Sequence, residues 1–288
     1  MKIIKYFIQF VLIINLFFIF KIIGYKNASN FGYKIGKYFG KIIRSNKIIL
    51  KNLTIIKNNS NIKIENESSI VDEVFGNYGR ILSEYVYLNK FKNGTLNNFV
   101  NIHGSQHLEE IKSKNKKVIF VSGHFSNFEL MAMYLEKSGV KLSAIYRPLN
   151  NFFLNQIMET LRKKYICKNQ IKKGIGGLKK LIELKKNNSS TALMIDQRVS
   201  EGIQSNFFNK KALTTKIPAQ LVKRFDIPIV PVYIERIKGI NFKIYISPPI
   251  NFSKNSTIQS ITDELNLILE KMVTRKPEQW IWSHNRWK

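Results

Sequence analysis

One stretch, Val118–Leu130 (VIFVSGHFSNFEL), constrains the fold more than any other. Val118 to Val121 is a short, apolar, β-branched run, the pattern of a buried strand. Ser122 and Gly123 break it, and Ser126 opens a helix that continues to Gly139. His124 therefore stands on a turn at a strand end, with Glu129 on the first turn of the next helix. Open α/β folds keep their chemistry at that place. Four further runs read as strands: Leu142–Tyr146, Thr191–Ile195, Ile229–Ile234 and Phe242–Ser247. Helical patterns lie between or after them, over Asn151–Lys164, Gly177–Lys186, Ile217–Phe225 and Thr257–Arg275. This alternation predicts an α/β domain with a mixed, largely parallel sheet flanked by helices.

The residues at the strand ends carry the chemistry. An imidazole takes a proton from a hydroxyl and returns it to a leaving group. It does so best when a carboxylate fixes its tautomer. The four residues between His124 and Glu129 span a turn and a first helical turn, which lets Glu129 fold back toward the imidazole. A second reading stays open, in which Ser126-x-x-Glu129 is a capping box and His124 an ordinary buried histidine. Arg147 ends the second strand, and Pro148 turns it away from helix. There it is placed for a phosphate or a developing oxyanion. Asp196 and Gln197 end the third strand, where the carboxylate can hold Arg147 or an acceptor. GIGG at Gly174–Gly177 lacks the preceding strand and the full spacing of a dinucleotide loop.

Upstream, Ile3–Ile23 is the most apolar stretch. Its uncharged centre, Tyr6–Phe20, spans about 22 Å as a helix, short of the ~30 Å hydrocarbon core. Snorkelling of Lys5 and Lys21 extends its reach. A membrane anchor leads an interfacial helix and a cleaved signal peptide, which lacks a small-x-small site close behind Lys21. The flanking bias toward Lys26, Lys34, Lys37, Lys41 and Arg44 orients the main domain to the cytoplasm. Asn30–Ile43 reads as an amphipathic helix that Gly32, Gly36 and Gly40 weaken. Asn58–Ser69 reads as a loop and Ile70–Leu88 as a helix. The expected division is an anchor over 1–25, a basic helical lobe over 26–100 and the α/β domain over 101–288.

A net charge of +28 on 288 residues seeks polyanions, although the Lys-, Ile- and Asn-rich usage discounts part of it. The single cysteine, Cys167, excludes an internal disulfide and a multi-cysteine metal site. His103 and His107 lie one helical turn apart but lack zincin spacing and a third ligand, so Asn101–Lys112 reads as an exposed loop and helix start. Nucleic-acid binding meets the charge but has no recognisable motif here. The aromatic-basic tail, Glu278–Lys288, suits a membrane interface as well as a core.

The motif GHFSNFE (Gly123–Glu129) resembles the His-x4-Asp/Glu motif of the lysophospholipid acyltransferase superfamily, and more closely the lauroyl/myristoyl acyltransferases that add late acyl chains to lipid A. YRPLNN (Tyr146–Asn151), LMIDQ with its following FF and TT (Leu193–Thr215) and PEQWIWSHNRWK at the end are similar to that family in order and place. The resemblance covers about Gly32–Lys288. It implies a glycerolipid acyltransferase-like fold at the bacterial inner membrane, an acyl-acyl carrier protein donor and a Kdo-bearing lipid A precursor as acceptor. His124 and Glu129 would be catalytic, and Arg147, Asp196, Gln197, Thr214, Thr215 and Arg286 substrate-binding, with no metal or cofactor. A lysophospholipid or another glycolipid acceptor stays open, as does a silent basic scaffold. Ser126, Phe128 and Asn209 depart from the family's usual Gly, Trp and Gly, and none of them removes a catalytic group.

Overall fold

The computed structural model describes residues 2–60, 62, 64, 66–172 and 189–288. The expected helix at Gly177–Lys186 and the GIGG turn lie outside these residues.

The chain opens with a helical lobe: α1 (Lys2–Ile23), α2 (Tyr25–Ile43), α3 (Lys47–Asn59) and α4 (Glu67–Glu84). Gly24 separates α1 from α2 with φ of 79°, a backbone state that favours glycine. The glycines of α2 have a packing role that helix propensity hides. A Cβ on Gly36 would stand 2.1 Å from the Phe75 carbonyl oxygen, and one on Gly79 would stand 1.9 Å from that of Gly32. Bare glycine faces thus let α2 and α4 touch backbone to backbone. α4 begins three residues before the expected Ile70, because the Asn66 side chain accepts the Ser69 N–H at 2.9 Å and caps it.

A 3-10 turn (Tyr85–Tyr87) and α5 (Leu88–Lys92) lead into the second region. It comprises β1 (Val100–His103), α6 (Ser105–Ser113), β2 (Ile119–Ser122), α7 (Glu129–Lys137), β3 (Leu142–Tyr146) and α8 (Phe152–Leu161), which continues as a π turn (Arg162–Ile166). Then come β4 (Asn169–Lys172), β5 (Ser190–Met194), β6 (Ile203–Phe207), β7 (Lys210–Thr214), α9 (Ile217–Phe225), β8 (Ile229–Lys238), β9 (Asn241–Ile246) and α10 (Ile258–Arg275). Among the described residues the main sheet has seven strands in the order β1-β9-β8-β2-β5-β3-β4. Strands β8, β2, β5, β3 and β4 run parallel, whereas β9 opposes β8 and β1 runs with β9. The sheet is mixed and mostly parallel, as the alternation of elements predicts.

Three local expectations are corrected. Asn101–Lys112, expected as an exposed loop and helix start, opens instead on a strand, since β1 pairs with β9 there, while the helix start stands as α6 after Gly104. The hairpin β6–β7 was not anticipated; its turn, Phe208–Asn209, has φ of 52° and 55°. Two positive φ values give the turn that matches strand twist, and Asn209 tolerates one of them readily. Finally, α7 starts at Glu129 rather than Ser126, whose φ is 45°. Ser126-x-x-Glu129 is therefore not a capping box.

Candidate active site

The site forms where β2 and β5 end side by side. Ser122 pairs with Met194, and the Ile195 N–H donates to the Ser122 carbonyl at 2.8 Å. Two residues beyond that pairing stand His124 and Asp196. From β2 the chain crosses to β3 on one side, and after β5 it returns as β8 on the other. The gap between β2 and β5 is thus the point of reversed strand order, where open α/β sheets take ligands.

Asp196 holds His124 by two bonds, one to the ring and one to the backbone. His124 Nδ1 lies 2.8 Å from Oδ1, and the His124 backbone N–H donates to Oδ2 at 2.8 Å. Trp280 Nε1 adds a third bond to Oδ2 at 2.9 Å. The carboxylate is fully buried while the imidazole keeps 18% of its side-chain surface exposed. Burial pushes the Asp196 carboxyl up, but His124 and the Trp280 N–H outweigh it and hold it below the ordinary carboxylate range. With Nδ1 engaged by a carboxylate, Nε2 is the nitrogen with a lone pair to offer. The Phe128 ring stands edge-on to the imidazole, with centroids 4.7 Å apart. Gly123 leaves room for this arrangement, since a Cβ there would approach Phe125 to 2.8 Å and the Asp196 Cβ to 3.2 Å.

Glu129 has other partners, and the expected His124–Glu129 pair is corrected accordingly. Its carboxylate accepts the Tyr85 hydroxyl and Arg162 Nε, the latter at 2.8 Å. Burial alone would lower the Arg162 pKa; the charge of Glu129 and its hydrogen bond outweigh it and hold the guanidinium above its ordinary value. Burial, reinforced by Glu129, pushes the Tyr85 hydroxyl well up. The reason lies in the turn. Phe128 stands between the two residues, and α7 starts only at Glu129, which directs that carboxylate toward the π turn instead.

A cavity of about 500 Å³ opens beside the dyad. Its apolar wall comes from β2, α7, β3 and β5 through Phe120, Ala132, Leu135, Ala144 and Ala192. Its polar wall includes His124, Glu129, Arg44, Arg147 and Arg162. Of the expected substrate-binding residues, Arg147, Gln197 and Thr215 line it. Asp196 meets His124 and Trp280 rather than Arg147. Thr214 and Arg286 lie elsewhere: both are buried, and Arg286 donates to Thr214 Oγ1 at 2.7 Å and to the Leu213 carbonyl at 2.9 Å. Burial pushes that guanidinium down to about 10. The pair fastens the C-terminal tail to β7 and does not face the cavity.

Sequence reasoning missed Arg162, Tyr85 and Trp280. Arg162 is one of 47 basic residues and carries no local mark. The tail, read as fit for interface or core, is core: Trp280, Trp282 and Trp287 are buried. Gln279 accepts the Ser126 N–H at 2.9 Å through its carbonyl, and Phe125 bridges to Trp280, so the tail pins the His124 turn. His284 also lines the cavity, with its Nε2 accepting the Arg198 N–H at 2.8 Å.

The arrangement suits proton transfer beside an apolar-walled cavity. The chain is 25% identical over 185 residues to a lipid A biosynthesis acyltransferase 2 of Shigella flexneri, which covers 62% of this chain and 58% of that protein. It is 23% identical over 254 residues to a lipid A biosynthesis myristoyltransferase of Escherichia coli K12, covering 86% and 77%. Against a lipid A biosynthesis palmitoleoyltransferase of the same strain it is 22% identical over 232 residues, covering 78% and 73%. The model of the bacterial lipid A biosynthesis acyltransferase family matches residues 1–288, and the chain belongs to that family.

Proposed function

We propose that this protein transfers a fatty acyl chain from a thioester to a hydroxyl of a lipid A precursor. The observation that carries the reading is the His124–Asp196 dyad at the polar end of an apolar-walled cavity. His124 Nε2 removes the acceptor's hydroxyl proton while Asp196 holds the tautomer and steadies the imidazolium. The alkoxide oxygen attacks the thioester carbonyl. The tetrahedral intermediate collapses, the thiolate leaves, and the imidazolium returns the proton to it. Arg162, held by Glu129, is the cation at the cavity wall for the developing oxyanion. Arg147, and Arg44 beside its bond to the Ser283 carbonyl, serve the acceptor's phosphates. This assigns the orienting role to Asp196 and a positioning role to Glu129.

A basic surface suits both an acidic acyl carrier protein and a phosphorylated glycolipid. Inner-membrane residence follows from the same reading, with the α/β domain on the cytoplasmic side. Membranes carrying the protein, an acyl-carrier thioester and labelled lipid A precursor supply the assay. His124→Ala should lower transfer by about 10²- to 10⁴-fold. Asp196→Asn should fall by a comparable factor, because the imidazole loses its tautomer. Transfer that persists unchanged in His124→Ala removes the mechanism.

A further inference from the structure

By length and composition α1 is able to cross a membrane, yet contacts near both of its ends tie one stripe of it to the folded domain. One stripe, Tyr6, Phe10, Ile13, Phe17 and Phe20, is covered or half-covered at helical spacing. Near one end, Phe20 is buried, its carbonyl accepts the Tyr87 hydroxyl at 2.6 Å, and its ring meets Phe31. Near the other end, Asn151 Nδ2 donates to the Tyr6 carbonyl at 2.9 Å, and Phe153 packs on Phe7 and Phe10. These attachments lie fourteen residues apart, or about 21 Å along the helix. The outward face, through Ile4, Ile8, Val11, Phe18 and Ile22, is exposed and apolar. Its one polar member, Asn15, satisfies its amide on the Val11 carbonyl at 2.8 Å.

A spanning helix would carry this flank with it. The α8 start would lie in the leaflet far from the basic segment after α1. Exposed Arg147 and Asn150, four residues or fewer from Asn151, would go with it, and with them the cavity wall that Arg147 helps to form. Placing an exposed guanidinium in hydrocarbon is costly. A helix lying flat avoids this: its outer face enters one leaflet, and the domain rides on the inner stripe in water. Exposed Phe152, stacked on Phe153, and exposed Phe31, against Phe20, extend the apolar surface on either side. Lys26, Lys34, Lys37 and Lys41 follow directly in the chain and complement anionic headgroups.

We infer that α1 lies along one leaflet of an anionic bilayer as an in-plane docking helix, with both of its ends on the side of the α/β domain. The inference stands apart from the acyltransferase reading, because its test does not measure activity. Cys167 is buried and serves as a silent background. Full-length Lys2→Cys and Asn255→Cys, each at an exposed or terminal position, are placed in right-side-out and inverted membrane vesicles. Both are treated with a membrane-impermeant maleimide. The expected result is labelling of both cysteines from the same face, in one-to-one ratio. Labelling of Lys2→Cys from the opposite face only, or from neither, overturns the inference.

Discussion

Three donors converge on the Asp196 carboxylate, two of them from His124, so one acid sets both the ring's tautomer and its position. Its pKa is held below the ordinary value in the folded state, which gives stability a definite pH dependence. The contribution is fully present above the unfolded value of about 3.9. It is lost as pH falls through the lower, folded value. Asp196→Asn should therefore trail the wild type by a constant urea-midpoint gap from neutral pH down to about pH 5, and the gap should close below the unfolded value. A gap that widens on acidification contradicts the assignment. His124 was legible from sequence because strand, turn and helix signals are local. Its partner was not, since Asp196 arrives through the pairing of β2 with β5, 72 residues away in the chain. Nearness in sequence favoured Glu129, and the Phe128 turn set it aside.

Among the elements, α2 and α4 show how a residue type can be read backward. By propensity, Gly32, Gly36 and Gly40 weaken α2. In the packed molecule Gly32 and Gly36 form the face on which α4 lies, with Gly79 closing the contact. Gly79→Ala should raise helix propensity by roughly 1 kcal/mol and still destabilise the protein. The added methyl meets the Gly32 carbonyl backbone, which has no rotamer through which to yield, and overpacking of this kind costs about 1–3 kcal/mol. Urea unfolding checks it, and a variant as stable as wild type would mean that α2 shifts without penalty. The central strands were legible because burial on both faces makes them continuous apolar runs. β1 and β4 lie at the sheet edges, and each exposes polar residues such as Asn101 and Lys172. The β6–β7 hairpin carries Lys210 and Lys211 outward. None of these presents a run long enough to separate it from a loop.

Across the whole molecule, one buried cluster couples the helical lobe to the sheet and to the site. Glu84 at the end of α4 receives Arg236 of β8 at 2.8 and 3.0 Å, the Ser29 hydroxyl of α2 at 2.7 Å and the Asn127 amide at 2.8 Å. Asn127 belongs to the turn that carries His124, so lobe, sheet and the His124 turn share one carboxylate. A buried pair of this kind is weak evidence for net stability, because desolvation offsets much of the attraction. Removing one partner is a different matter. Glu84→Gln leaves Arg236 without its counter-charge, and Arg236→Met leaves Glu84 likewise; each should cost about 3–5 kcal/mol. The double variant should cost less than the sum of the two, since neither orphan charge remains. If the pair served only as local packing, the two losses would add and acyl transfer would follow stability alone. Under the coupling argued here, Glu84→Gln also weakens the acceptor that holds Asn127, so transfer should fall further in that variant than in Arg236→Met measured at equal folded fraction.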